Sequence, residues 1–137
     1  MAIRLTKKQL ADITAGKPLS QWRNEHEFQR AVIAMCDRLG GLYALVYAIP
    51  NGQVRPGQRV EAGLRAGMPD LCLPVPSASG EYHALFIELK IAGGNLSQAQ
   101  KDKLFDLRNA GNKCVVVWDG LHVVEQEIAE YLGKDNT

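Results

Sequence analysis

Hydrophobic positions along the chain change period several times, and each change marks an element. In "RNEHEFQRAVIAMCDRLGG", Phe28, Val32, Cys36 and Leu39 recur at helical spacing, which predicts a long helix closed by Gly40 and Gly41. Glu25 falls on that inward stripe with Gln29 one turn later, while Glu27 falls on the opposite face. "LYALVYAI" at 42–49, rich in aromatic and branched residues, predicts a strand. "PNGQVRPGQR" reads as a loop, and "VEAGLRAG" as either an irregular turn or a short helix. "DLCLPV" at 70–75 and "ALFIEL" at 84–89 predict strands joined by the polar turn "PSASGEYH". "NLSQAQKDKLFDLRNAG" is a helix capped by Ser97, with Leu104 and Leu107 on one face and Gly111 as its stop. "KCVVVW" is an apolar strand of the kind covered on both faces, and "DGLHVVEQEIAEYLG" a last helix carrying Ile128, Tyr131 and Leu132.

The core order is therefore α-β-β-β-α-β-α, an α/β arrangement with helices covering a small mixed sheet. Before it, Thr6 and Gln9 form a possible capping box for a short helix ending at Gly16, and "KPLSQW" is a linker. We expect an N-terminal extension at 1–20, one domain at 21–133 and a frayed tail at 134–137.

Composition adds constraints rather than chemistry. A chain of 137 residues that is 46% hydrophobic and 23% charged can bury a real core as one domain. Its net charge of +1 announces no global basic field, though a local basic patch stays compatible with it. Cys36, Cys72 and Cys114 stand far apart in apolar runs and read as buried thiols in a reducing compartment. The N-terminal residues lack a signal-like apolar stretch and no run approaches about 20 apolar residues, so a cytoplasmic protein is expected. His26 and His83 lack zinc-ligand spacing and read as surface residues, while Trp22 and Trp118 read as packing residues.

The chemistry is carried by charges at the ends of buried strands, which are costly unless partnered or employed. Strand alternation puts Phe86, Glu88 and Lys90 on one face, and a hairpin pairing would bring Asp70 beside them. Taken alone, Glu88-Leu89-Lys90 reads as an ordinary ion pair at a strand end. Asp70 one hairpin away opens a second reading: two carboxylates and an ammonium suit a hard divalent cation and an anionic substrate. Glu25 is either a third acid for that cluster or a first-turn residue favoured by the helix dipole.

Gly67-Met68-Pro69-Asp70, then Glu88-Leu89-Lys90, then "LSQAQ" opening a helix, resemble the PD-(D/E)xK nuclease superfamily. With "NEHEFQ" and "AIPNGQVRPG" upstream, the chain resembles more narrowly the VRR-NUC domain in its small stand-alone form from phages and prophages, from roughly Glu25 onward. The resemblance implies a restriction-endonuclease-like core and a Mg²⁺- or Mn²⁺-dependent DNA endonuclease using metal-activated water. It implies Asp70, Glu88 and the Leu89 carbonyl as metal ligands, Lys90 as catalytic lysine, and Glu25 as an acid that binds metal or tunes its water. Gln29 and Gln100 would line the site, although Gln100 is equally the partner of Ser97 in a capping box. Asn51 is a turn residue or an amide contact to DNA or a metal-bound water. Small members of the family resemble homodimeric Holliday-junction resolvases, so branched DNA is the implied partner, in a bacterial host or phage setting. Arg55, Arg59, Arg65 and Lys101, with Lys7, Lys8 and Lys103, are candidates for phosphate contacts. Against this stand a binding or assembly module of the same fold without catalysis, and a structural domain whose charges only pair.

Overall fold

Six residues, Leu85–Lys90, form the strand around which the sheet is built. Leu85, Ile87 and Leu89 are fully buried on one face, so the period of two read from the sequence holds. The computed structural model describes residues 7–14, 19–50, 57 and 61–134. Its elements are α1 (Lys7–Thr14), α2 (Glu25–Leu39), β1 (Tyr47–Ala48), β2 (Leu71–Leu73), β3 (Leu85–Lys90), α3 (Gln98–Asn109), β4 (Lys113–Trp118) and α4 (Leu121–Tyr131). The four strands make one mixed sheet in the order β1-β2-β3-β4. The β1–β2 and β2–β3 pairs are antiparallel, and β4 runs parallel to β3 after the α3 crossover.

Register divides the sheet into two faces. Leu71, Ile87 and Val115 share one row, and this side carries the main core with Phe28 and Val32 of α2 and Val124 and Ile128 of α4. Cys72, Phe86 and Cys114 share the next row, which faces the other way. On that side α3, whose buried residue is Leu104, packs against β4. All three cysteines are buried free thiols, as expected.

Several elements differ from expectation. The strand expected over 42–49 is a 3-10 helix, Gly41–Leu45, followed by the two residues of β1. Gly40 and Gly41 both adopt positive φ, and the buried Tyr43 and Val46 stand three apart, the spacing that aligns side chains in a 3-10 turn. β2 stops at Leu73 because Pro74 has no N–H for the ladder. Leu39 lies on the expected stripe yet is exposed, since it ends α2 where the chain turns away at Gly40; Met35 is buried in its place. β4 is an edge strand, so Val115 and Val116 are only half-buried and Trp118 is exposed, not covered on both faces. The undecided segment resolves, from Glu61 to Gly67, into turns, with the Leu64 N–H donating to the Glu61 carbonyl. Thr6 and Gly16, expected to bound α1, and the last three residues of the tail lie outside the described residues.

One contact joins the Gly-Met-Pro-Asp loop to α3. Gly67 has φ of 80°, and a Cβ there would stand 2.3 Å from the Ala99 carbonyl oxygen. Gly67→Ala is therefore expected to destabilise by at least about 2 kcal/mol, from left-handed backbone strain plus the clash. Denaturant unfolding at equilibrium measures it; a loss below about 0.5 kcal/mol would show that the loop can move away at little cost.

Candidate active site

Pairing of Leu71 with Ile87 puts Asp70 at the next rung, level with the second half of β3. Because β2 has ended there, the Asp70 carboxylate accepts the Leu89 N–H at 2.7 Å, replacing a rung of the ladder. Its own carbonyl accepts the Ile49 N–H at 2.8 Å, so the residue is held from both neighbouring strands. Fully buried Pro69 fixes the backbone just before it. The hairpin inferred from the sequence thus does bring Asp70 to the Glu88–Lys90 end of β3.

Glu88 and Lys90 are 2% and 6% exposed, so they are not a solvated surface pair. The Lys90 ammonium lies 3.3 Å from Glu25 Oε1 and 3.8 Å from Glu88 Oε1. Glu25 opens α2 beside the N-cap Asn24 and stays half-exposed, so it reaches the cluster through Lys90. Gln100 settles the choice between cap and site by filling both roles. Its Oε1 accepts the Ser97 N–H at 2.9 Å, its own N–H donates to Ser97 Oγ at 3.1 Å, and its Nε2 donates to Glu88 Oε1 at 3.0 Å. An amide held at its oxygen can present only its N–H₂ to the acid.

Burial pushes the Glu88 carboxyl up from its ordinary 4.5 to about 8, with the neighbouring Asp70 charge adding to the rise. Asp70 is also raised by burial, although the Leu89 N–H works against the shift. Without a cation, burial and mutual repulsion therefore work against ionising both acids at once.

A cleft of about 460 Å³ opens over this cluster. Glu25, Asp70, Glu88, Lys90 and Gln100 line it, and so do Met68 of the Gly-Met-Pro-Asp motif and Asn95, which the sequence did not single out. Asn95 carried no signal beyond its place in a loop before a cap. Gln29 is half-buried on α2 outside the lining, and Arg65 and Lys101 are exposed residues next in sequence to the lining residues Ala66 and Gln100. Lys7 and Lys8 are exposed on α1 and Lys103 is half-buried on α3. Asn51, Arg55 and Arg59 lie outside the described residues. His26 and His83 are surface residues, as expected. Trp22 packs on Phe28 with centroids 5.3 Å apart, whereas Trp118 is 47% exposed and its indole N–H donates to the Gly94 carbonyl at 2.8 Å.

Among the described residues, no three acid, histidine or cysteine side chains stand close enough to form a ready-made cation cage. The donor set nonetheless suits a hard dication. Buried Glu88 and half-buried Asp70, both raised by burial, would ionise more readily against one, and oxygen donors are what Mg²⁺ and Mn²⁺ take. Since the Lys90 carbonyl accepts from Asp119 on the β4 side, strand alternation turns the Leu89 carbonyl to the Asp70 side.

These shifts carry a pH dependence of definite sign. A carboxyl whose pKa is raised on folding binds more protons in the native state, so stability falls as pH rises from about 4.5 to about 8. In EDTA, the wild type is expected to lose on the order of 2 kcal/mol relative to Glu88→Gln across that window. Urea unfolding at each pH reads the difference; parallel curves for the two proteins would contradict the buried, protonated Glu88.

Comparison with known proteins agrees with this geometry. The family model for the VRR-NUC domain matches residues 51–118, which contain Asp70, Glu88, Lys90 and Gln100. A solved structure, "VRR_NUC domain protein", superposes with a TM-score of 0.66 at 27% identity, over 80% of this chain and 88% of the other. No curated protein matches significantly. Buried Glu88 and Lys90 at the end of the central strand, with half-buried Asp70 beside them, lie on a matching fold and within the matched residues, and identify residues 51–118 as a VRR-NUC domain of the PD-(D/E)xK nuclease superfamily.

Proposed function

We propose that the protein is a metal-dependent DNA endonuclease, selective for branched or junction DNA and active as a homodimer. A VRR-NUC domain is a nuclease-type domain, which implies DNA as the substrate. The observation that carries the finer reading is the convergence of Asp70, Glu88 and Lys90 on one strand end beneath a polar cleft. Among the described residues no helix is long and apolar enough to cross a membrane.

Asp70, Glu88 and the Leu89 carbonyl would hold Mg²⁺ or Mn²⁺, with Glu25 the further acid on the far side of Lys90. The chemistry such an ion would supply there is activation of a water at neutral pH and polarisation of a phosphoryl oxygen. Gln100 keeps one Glu88 oxygen oriented, so the acid does not turn away into the sheet. Lys90 places its ammonium where charge grows on the phosphate and is itself held between Glu25 and Glu88. Arg65 and Lys101, exposed beside the cleft in sequence, would contact flanking phosphates, with Arg55 and Arg59 in the segment that leads to it. A net charge of +1 gives little non-specific hold on duplex, which suits recognition of junction shape by paired subunits.

Labelled four-way junction, flap and linear duplex incubated with Mn²⁺, Mg²⁺ or EDTA provide the test. Cleavage is expected only with metal, at least about 100-fold slower in Lys90→Ala and Asp70→Ala, with linear duplex cut least. Junction binding without cleavage would replace the enzyme by a binding module. Unaffected cleavage in both variants would remove these residues from the chemistry.

A further inference from the structure

Asp119 belongs to no motif of the sequence, lies one residue beyond the family match and does not line the cleft, yet it is bonded to both sides of the site. It follows β4 with φ of 61°, a left-handed conformation that aspartate tolerates better than most residues. Its N–H donates to the Lys90 carbonyl at 2.7 Å, extending the β3–β4 pairing one residue past Trp118. Its carboxylate accepts the Ala92 N–H at 3.3 Å, so both the strand end and the turn after Lys90 are fastened to it.

The other half of its bonding goes to the segment that launches α2. The Asp119 carboxylate accepts from the Ser20 hydroxyl and from the Gln21 N–H, the latter at 3.1 Å. Its carbonyl accepts the Trp22 indole N–H at 2.9 Å and the Gln21 side-chain amide. Ser20 Oγ in turn accepts the Trp22 N–H at 3.0 Å, and the Trp22 ring stacks on Phe28 of α2. Only Arg23 and Asn24 separate this anchor from Glu25, so the chain has little slack in which Glu25 could shift. The Glu25–Lys90 pair cannot hold that geometry alone, since Glu25 is 45% exposed and a half-solvated ion pair is weak.

We propose that Asp119 is a positioning residue of the candidate site: it clamps the 20–22 segment to the exit of β3 and so sets Glu25 against Lys90. The role in catalysis rests on the nuclease reading above; the clamp itself does not. Asp119→Gly is the informative variant, because it keeps the left-handed backbone and the carbonyl and removes only the carboxylate.

Two measurements on the full chain test it. In metal-dependent junction cleavage, Asp119→Gly is expected to lower kcat about 10- to 100-fold with KM changed less than about two-fold. In a Glu25→Gln background the same change should cost less than about two-fold more, since the group it positions is gone. By amide hydrogen exchange, the first-turn amides of Glu27 and Phe28 should exchange at least about ten-fold faster, with Ile87 and Leu89 unchanged. Unchanged kcat, or an equal fractional loss in both backgrounds, would overturn the positioning role. Should the wild type cut no DNA, the nuclease reading alone falls, and exchange decides the clamp: unaltered protection at Glu27 and Phe28 would overturn it.

Discussion

A buried acid and a buried ammonium share the end of β3 with a second, half-buried acid beside them, and much of the site follows from making that tolerable. An unpartnered buried charge costs several kcal/mol, so each group needs a designated neighbour. Asp70 takes the Leu89 N–H, Glu88 takes the Gln100 amide, and the Lys90 ammonium sits between Glu25 and Glu88. Among the described residues, no buried side-chain nitrogen or oxygen lacks a hydrogen-bond partner. What remains uncompensated is the second negative charge of the acid pair, which burial suppresses by raising both carboxyls. The same imbalance is what the dication proposed above would relieve.

The surrounding elements deliver those neighbours to one place. β2 is cut short so that a side chain can take a backbone rung, and Gly67 allows its loop to lie against the first turn of α3. That first turn carries Gln100, whose capping bonds to Ser97 fix the amide before it meets Glu88. From the opposite direction Asp119 fastens the approach to α2 onto the exit of β3. Helix caps and strand ends here are structural devices first, and the cleft is assembled from them.

Much of the fold was legible because its signals are local. The capping box at Ser97, the alternation in 85–89 and the stripe of Phe28, Val32 and Cys36 each depend on residues a few positions apart. Where the signals misled, long-range packing had the deciding part. Aromatic and branched residues at 42–49 have strand propensity, yet two positive-φ glycines and the burial of Tyr43 and Val46 favour a 3-10 turn. An apolar β4 could not announce that, among the described residues, no strand pairs with its outer edge.

The candidate site divides in the same way. By itself the sequence singled out the candidates for the chemistry, since Pro-Asp, Glu-x-Lys and the glutamine of the cap are short patterns with fixed spacing. It also anticipated that Asp70 would meet Glu88 if those strands paired as a hairpin, and they do. Only the tertiary structure decided that Glu25 answers Lys90, that Gln100 serves cap and acid at once, and that Asp119 ties the two sides together. Those contacts join residues 65, 12 and 97 positions apart in the chain. Spacing along a sequence reports neighbours within an element; which elements meet is set by the burial of their apolar faces, and these bonds form only after that choice is made.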